Sequence, residues 1–209
     1  CPKATEKKIT KKTKAIMLVD IAGYPSKINQ FKRLAKKYNL KIIIDSAQSI
    51  GSKYIKKNKF TGTVGDVGGY SLNIHKHINT GEGGIVVTNN KEYANKIFLI
   101  RNHGENMLHK IKIKNSKNIV GYNFRMGEIE AAIGIEQLKK LPKILKRIRE
   151  NADLLNDGLG KLKGLIVPKI DKNEFTHSYY FYGLKIDYTK VQINRNILIK
   201  KLRKEGVPC

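Results

Sequence analysis

Four spaced polar side chains carry the most chemistry in this sequence: Asp45 and Gln48 in DSAQS, Ser71 in YSLN, and Lys76 five residues beyond it. A lysine attacks a carbonyl carbon only as the neutral amine, and a carboxylate can keep a neighbouring base protonated. On residue types alone, the same set also reads as a capped strand end and one more lysine among 35. His75 and His77 flank Lys76 in an H-x-H pattern, but no third metal ligand stands nearby in sequence, so zinc is not expected. The Gly-rich stretch TGTVGDVGG has neither GxxxxGK[ST] spacing nor GxGxxG after a strand, and both nucleotide-loop readings are rejected. There is no GxSxG, and Cys1 and Cys209 sit in no context that activates a thiol.

These residues need elements to hold them. From Thr13, TKAIMLVD reads as a buried strand; AGYP turns the chain, and Ser26 is expected to cap a helix whose Ile28, Phe31, Ala35 and Tyr38 share one face. LKIIID is an apolar run too short for a helix, so strand, helix and strand form a right-handed crossover with parallel strands, ending at Asp45. In open α/β sheets ligands gather beyond the carboxyl ends of the strands, which is where Asp45 stands. VGGYSLN and GGIVVTN read as further strands, with Lys76 in the connection between them. KEYANKIFLIRNHG predicts a helix stopped near Gly104, and HKIKIKNSKN an exposed loop of solvated lysines. RMGEIEAAIGIEQLKKL predicts a helix that Pro142 kinks or restarts, with Ile144, Ile148, Ala152, Leu155 and Leu159 continuing an apolar face. A short VPKI segment, a strand-like HSYYFYGLKID and a helix-like NRNILIKKLRKEG follow Gly160. The expected divisions are a large α/β portion over 1–141, a connecting helix over 142–160, and part of a smaller α+β domain over 161–209.

The 209 residues, 40% of them hydrophobic and in short patterned runs, suffice for a packed core. No apolar run approaches the roughly 20 residues that span a bilayer, so no transmembrane segment is expected. The opening CPKATEKK has no initiating Met and no basic-then-apolar leader; no signal peptide is read, and the native start is expected upstream. Two cysteines at the extreme ends offer no disulfide framework and fit a reducing, cytoplasmic setting. Forty-two basic against seventeen acidic side chains give +25, a balance that raises nucleic acid or an anionic membrane as partner. Yet only 7 of the 42 are Arg, and residues 60–90 carry a net −1 where even spreading would give about +4. A solvated lysine-rich surface is the preferred reading, with no specific nucleic acid and no membrane partner.

In order, DSAQSIG, GDVGGYSLNIHKHINTGEGGIVVTNN, RNHG and GYNFRMGEIEAAIGIEQLKKL resemble the DegT/DnrJ/EryC1/StrS family of pyridoxal-phosphate-dependent nucleotide-sugar aminotransferases. The resemblance runs from ITKKTKAI to LRKEGVPC. It implies the α/β, type I aminotransferase fold: a mostly parallel sheet flanked by helices, followed by part of a smaller C-terminal α+β domain. It also implies roles by motif. Lys76, six positions before Glu82 of GEGG, takes the place of the lysine that holds pyridoxal 5'-phosphate as a Schiff base. Asp45 matches the acid facing the pyridine nitrogen, Gln48 the amide near the ring hydroxyl, and Ser71 a phosphate ligand. Asn123 of GYNFRM matches an asparagine offered to the phosphate of the neighbouring subunit, which implies a homodimer.

The reaction so implied moves an amino group from an amino acid, glutamate in the family pattern, to a keto sugar carried on a nucleoside diphosphate. An opposite charge beside the pyridine nitrogen typically moves its pKa by about 1 to 3, and the protonated ring is the better electron sink. The alternatives are a sugar dehydratase of the same fold, some of whose members replace that lysine by histidine, and a non-catalytic basic binding or regulatory protein. Histidine on both sides of Lys76 departs from commoner members, but counting back from GEGG keeps Lys76 at the key place, so transamination is favoured. The family's N-terminal part, with a Gly-Thr turn for the phosphate and an aromatic that stacks on the ring, has no counterpart in this sequence, and the chain is expected to stop inside the small domain.

Overall fold

The computed structural model describes residues 1–105 and 119–209; the HKIKIKNSKN stretch lies outside the described residues. In chain order the helices and strands are α1 (Pro2–Glu6), β1 (Ala15–Val19), α2 (Ile28–Lys37), β2 (Lys41–Asp45), β3 (Lys53–Tyr54), β4 (Lys59–Phe60), β5 (Val67–Ser71), β6 (Gly84–Val87), α3 (Lys91–Arg101), α4 (Glu128–Leu159), β7 (Leu165–Ile166), β8 (Lys185–Ile186) and α5 (Arg195–Lys204). The main sheet has the order β1-β2-β5-β6. β1 and β2 run parallel from Ala15↔Lys41 to Val19↔Asp45, and β2 and β5 from Ile43↔Val67 to Asp45↔Gly69. β6 returns antiparallel on β5, pairing Ser71 with Gly84.

Alternation within β1 and β2 turns Ile16, Leu18, Ile42 and Ile44 to one face, where Ile28, Phe31, Leu34 and Ala35 of α2 cover them together with Tyr54 and Phe175. Each such large side chain contributes about 1.5–3 kcal/mol on burial. β1, expected as a buried strand, is buried on one face only: Met17 on the other face is 63% exposed. A second cluster, Ile50, Leu72, Ile78, Leu141 and Leu145, ties α4 to the β5–β6 connection.

Five local expectations are corrected. Lys27 and not Ser26 stands at the N-cap of α2, and no side chain caps it; the Ser26 N–H instead donates to Asp20 Oδ1 at 2.8 Å. Tyr38 leaves the α2 face for the surface, where its hydroxyl donates to Glu6. Pro142 neither breaks nor restarts α4, which runs unbroken from Glu128 to Leu159; Pro142 is exposed and the adjacent Leu141 and Leu145 are buried, so packing offsets the missing backbone donor. On that helix Leu155 is 42% exposed and leaves the apolar face. In the last quarter, HSYYFYGLKID forms a strand only at Lys185–Ile186, which pairs with Leu165–Ile166 just before VPKI. Residues 176–184 are an irregular strap, because their backbone groups bond to β3 at Lys53 and to loops of the main sheet at Ala22, Gly23 and His77.

Candidate active site

Asp45 is the last residue of β2, in register with Val19 on one side and Gly69 on the other. Paired residues of parallel strands point to the same face, and a Cβ built on Gly69 would meet nothing within 4 Å, so the space beside Asp45 is open. Asp45 Oδ1 accepts the Ala47 N–H at 3.0 Å; among the described residues its other oxygen has no hydrogen bond. Three residues on, Gln48 Oε1 accepts the Ala22 N–H at 2.7 Å, and among the described residues the amide donors of Gln48 have no partner.

Beneath these residues lies Asp20, wholly buried at the end of β1. Its carboxylate accepts from the Ser26 N–H and from the hydroxyls of Ser46 (2.9 Å) and Ser49 (3.4 Å), knitting the β1 and β2 loops together. Burial pushes its pKa up, against the pull of those hydrogen bonds.

Lys76 stands in the connection between β5 and β6. Leu72 and Ile78 are buried on either side of it, and the Thr80 N–H donates to the Leu72 carbonyl at 2.9 Å, closing the loop at its base. Inside the loop Asn73 is the organiser. Its N–H donates to Ser71 Oγ (3.2 Å), its side-chain oxygen accepts the His75 N–H (3.1 Å), and its amide nitrogen donates to Glu82 Oε1 (2.7 Å). Its carbonyl accepts the Lys76 N–H at 2.9 Å. The Lys76 ammonium lies 4.5 Å from the Tyr180 ring centroid and, among the described residues, makes no ion pair. His75 is exposed, while His77 turns inward and donates from Nε2 to the Ser178 carbonyl at 2.8 Å.

Tyr180 arrives on the strap. The Ser178 N–H donates to the Gly23 carbonyl at 3.2 Å and the Tyr180 N–H to the Ala22 carbonyl at 2.9 Å, while Ser178 Oγ donates to the Gln48 carbonyl at 3.1 Å. Gly23 permits this crossing: its φ is +91°, and a Cβ there would collide with Ser178 Oγ. Between the two anchor residues Tyr179 adopts a left-handed φ of 48°, its N–H donating to His177 Nδ1 at 2.8 Å and its ring stacked 4.0 Å from that imidazole. Burial, and then the charge of Arg149, push the His177 pKa down to about 4. Burial likewise lowers that of His77, with Lys76 and Arg149 adding to the effect.

Asp45, Gln48, Ser71 and Lys76 thus all stand at the carboxyl end of β2 and β5 or in the loops just beyond. Asn123 does not join them. It bridges Asn102 beside the end of α3, is exposed, and accepts from Arg125 Nε at 3.1 Å. Sequence reasoning missed Asp20, Asn73 and Tyr180. Asp20 directly follows β1 and Asp45 ends β2, which is a usable signal; nothing in HSYYFYGLKID identifies which aromatic reaches the lysine.

The profile of the DegT/DnrJ/EryC1/StrS aminotransferase family matches residues 1–209. The GDP-perosamine synthase of Escherichia coli O157:H7 is 40% identical over 179 residues, covering 86% of this chain and 47% of that protein. A UDP-4-amino-4,6-dideoxy-N-acetyl-beta-L-altrosamine transaminase of Helicobacter pylori is 34% identical, covering 98% of this chain and 53% of that protein. The chain therefore spans about half the length of the curated relatives it matches. Among solved structures, an E. coli GDP-4-keto-6-deoxy-D-mannose-3-dehydratase with bound hydrated PLP superposes with a TM-score of 0.85 at 28% identity, covering 100% of this chain and 56% of that one. With its parallel strands ending at Asp45, its lysine loop after β5, and a family match along its whole length, the chain belongs to the DegT/DnrJ/EryC1/StrS aminotransferase family and has the type I aminotransferase fold.

Proposed function

We propose that the intact protein is a pyridoxal-phosphate-dependent aminotransferase that moves an amino group from an amino acid, glutamate on the family pattern, to a keto sugar carried on a nucleoside diphosphate. The observation that carries this reading is the Lys76 amine. It is held on a loop anchored by two buried side chains, is free of any carboxylate among the described residues, and stands at the same sheet end as Asp45.

The donor set fits the cofactor. Among the described residues Asp45 has an oxygen without a hydrogen bond, open to a pyridinium N–H, and the Gln48 amide donors have no partner and can serve the ring hydroxyl. Ser71 Oγ accepts from Asn73, which leaves its own proton for a phosphate oxygen. When bound, the cofactor supplies an electron sink for the carbon that gains or loses the amino group. The chain's own contribution is positional. Asp45 would keep the ring nitrogen protonated, Gln48 and Ser71 would orient the group, and Lys76 would anchor it and then, as a free amine, carry a proton between the substrate carbon and the cofactor carbon on either side of the shared nitrogen. Asn123, exposed on the surface, serves the phosphate of a second subunit in a cytoplasmic homodimer on this reading.

Borohydride reduction of the intact protein with its cofactor, followed by peptide mapping, tests the assignment. A pyridoxyl label on Lys76 alone is expected, together with an amino sugar nucleotide formed from its keto form in the presence of glutamate. A label on another lysine defeats the site assignment, and loss of a sugar hydroxyl without amination defeats the transaminase reading in favour of a dehydratase.

A further inference from the structure

His77 belongs to the lysine's own loop, yet its side chain is spent on the strap. Its Nε2 lies 2.8 Å from the Ser178 carbonyl. A carbonyl only accepts, so the imidazole proton is on Nε2 and Nδ1 carries the lone pair. That Nδ1 is buried and has no partner among the described residues, an arrangement that an apolar side chain of similar size would avoid. The polar bond is therefore the part of the side chain that packing alone does not explain. Two residues beyond Ser178, the Tyr180 ring lies 5.9 Å from the His77 ring and 4.5 Å from the Lys76 ammonium. The strap's other ties run to the β1 and β2 loops, to Lys53 of β3, and to α4, where Arg149 Nε donates to the His177 carbonyl and Asn156 Oδ1 accepts from the Tyr182 hydroxyl.

From this geometry we infer that His77 is a positioning residue for Lys76: its Nε2–H bond to the Ser178 carbonyl locks the lysine loop to the strap, keeping the amine in register with the Tyr180 ring. The inference rests on the reading of Lys76 as the reactive amine. It adds a residue that touches neither reacting atom and acts through backbone position. The tie does not require His77 to change protonation state. It requires one tautomer and one acceptor.

Two measurements on the intact, cofactor-free protein test it. Imidazole nitrogen NMR at neutral pH should find His77 neutral with the proton on Nε2; the Nδ1–H tautomer, or an imidazolium, overturns the inference. Competitive acylation with a small amine-reactive ester, read by mass spectrometry with the other lysines as internal references, should find Lys76 slow in the wild type. His77→Phe should make it about threefold faster or more, the size of effect expected when a cation–aromatic contact is lost. His77→Gln, which offers an amide donor at similar reach, should restore slow labelling. Unchanged Lys76 reactivity in His77→Phe overturns the positioning role. Should that variant not fold, His77→Asn, whose amide stops short of Ser178, replaces it with the same expectation. If Lys76 carries no pyridoxyl label, the functional reading fails while these labelling rates stand. A labelled Lys76 with unaltered rates in the variants defeats the positioning role alone.

Discussion

At the carboxyl ends of β1, β2 and β5 the loops are tied to one another: Asp20 holds the hydroxyls of Ser46 and Ser49, Gln48 holds Ala22, and the strap bonds to Gly23, Ala22, Gln48 and His77. The segment that carries Asn123 is held differently. It is tied to the end of α3 through backbone bonds from Tyr122 and Phe124 to Ile100 and Arg101, and Tyr122, Asn123, Phe124 and Arg125 face outward. Beside it a groove of about 1030 Å³ between β6 and α3 is lined by Ile85, Val86, Ile97, Phe98, Phe124 and Met126. The first region positions reactive groups with the chain's own contacts. The second presents its side chains outward, and under the proposed shared site the contrast predicts which substitutions act within one chain and which act between chains.

Removing Lys76 has the largest expected effect on the first region. Lys76→Ala should abolish the pyridoxyl label and lower transamination by at least about 10³-fold, and Lys76→Arg should fail equally, since a guanidinium stays protonated. Asp45→Asn should separate anchoring from chemistry, retaining the label while the rate falls by about 10²-fold, because the ring nitrogen loses its charged partner. Equal loss of label in both variants would show that Asp45 serves binding only.

Mixing subunits tests the second region. If the protein is the proposed dimer with shared sites, Asn123→Ala and Lys76→Ala, each poorly active alone, should recover about a quarter of wild-type activity when mixed in equal amounts, because half of such dimers would be hybrids with one intact site. No recovery, with heterodimers demonstrated by mass, would confine the role of Asn123 to its own chain. Gly23→Ala probes the junction between strap and loops. The strained φ and the collision with Ser178 should destabilise the protein by about 1–3 kcal/mol and slow cofactor uptake, as read by denaturant melts and by cofactor absorbance.

The contrast also marks what the sequence makes legible. β1, α2 and β2 follow from short apolar runs and helical spacing, and Asp45 and Lys76 fall at a strand end and in a strand connection because both positions are set by local pattern. The strap does not. Its run of aromatics has high strand propensity, but its N–H and C=O groups are taken by Ala22, Gly23 and His77, so tertiary bonding overrides propensity. Ser26 has the side chain of a helix cap, yet its own N–H serves Asp20, a competition visible only once the two loops are side by side. Pro142 marks a break by local rules, and the burial of Leu141 and Leu145 outweighs it.

The last expected effect concerns acid stability and isolates the strap from the rest of the site. Neutral His177 accepts the Tyr179 N–H on Nδ1, and protonation would set a donor against that N–H while adding charge beside Arg149 and His77. With a folded pKa of about 4 against an ordinary 6.5, the unfolded chain takes the proton first as pH falls. The contribution of His177 is fully present above pH 6.5 and is lost as pH drops towards 4. Discounted for solvent screening, the loss is about 2 kcal/mol. Asp20 works in the opposite direction, because its raised folded pKa lets the native state take up a proton before the unfolded chain does. A difference measurement removes that opposition. His177→Asn keeps an acceptor near the Nδ1 position but does not titrate, so denaturant melts from pH 7.5 down to pH 4.5 should show wild type losing about 2 kcal/mol more than the variant. Parallel losses in the two proteins would mean that the strap's other ties, to Gly23, Ala22, Gln48, His77 and Arg149, hold it whatever the charge on the imidazole, with that ring serving only as a stacking surface for Tyr179.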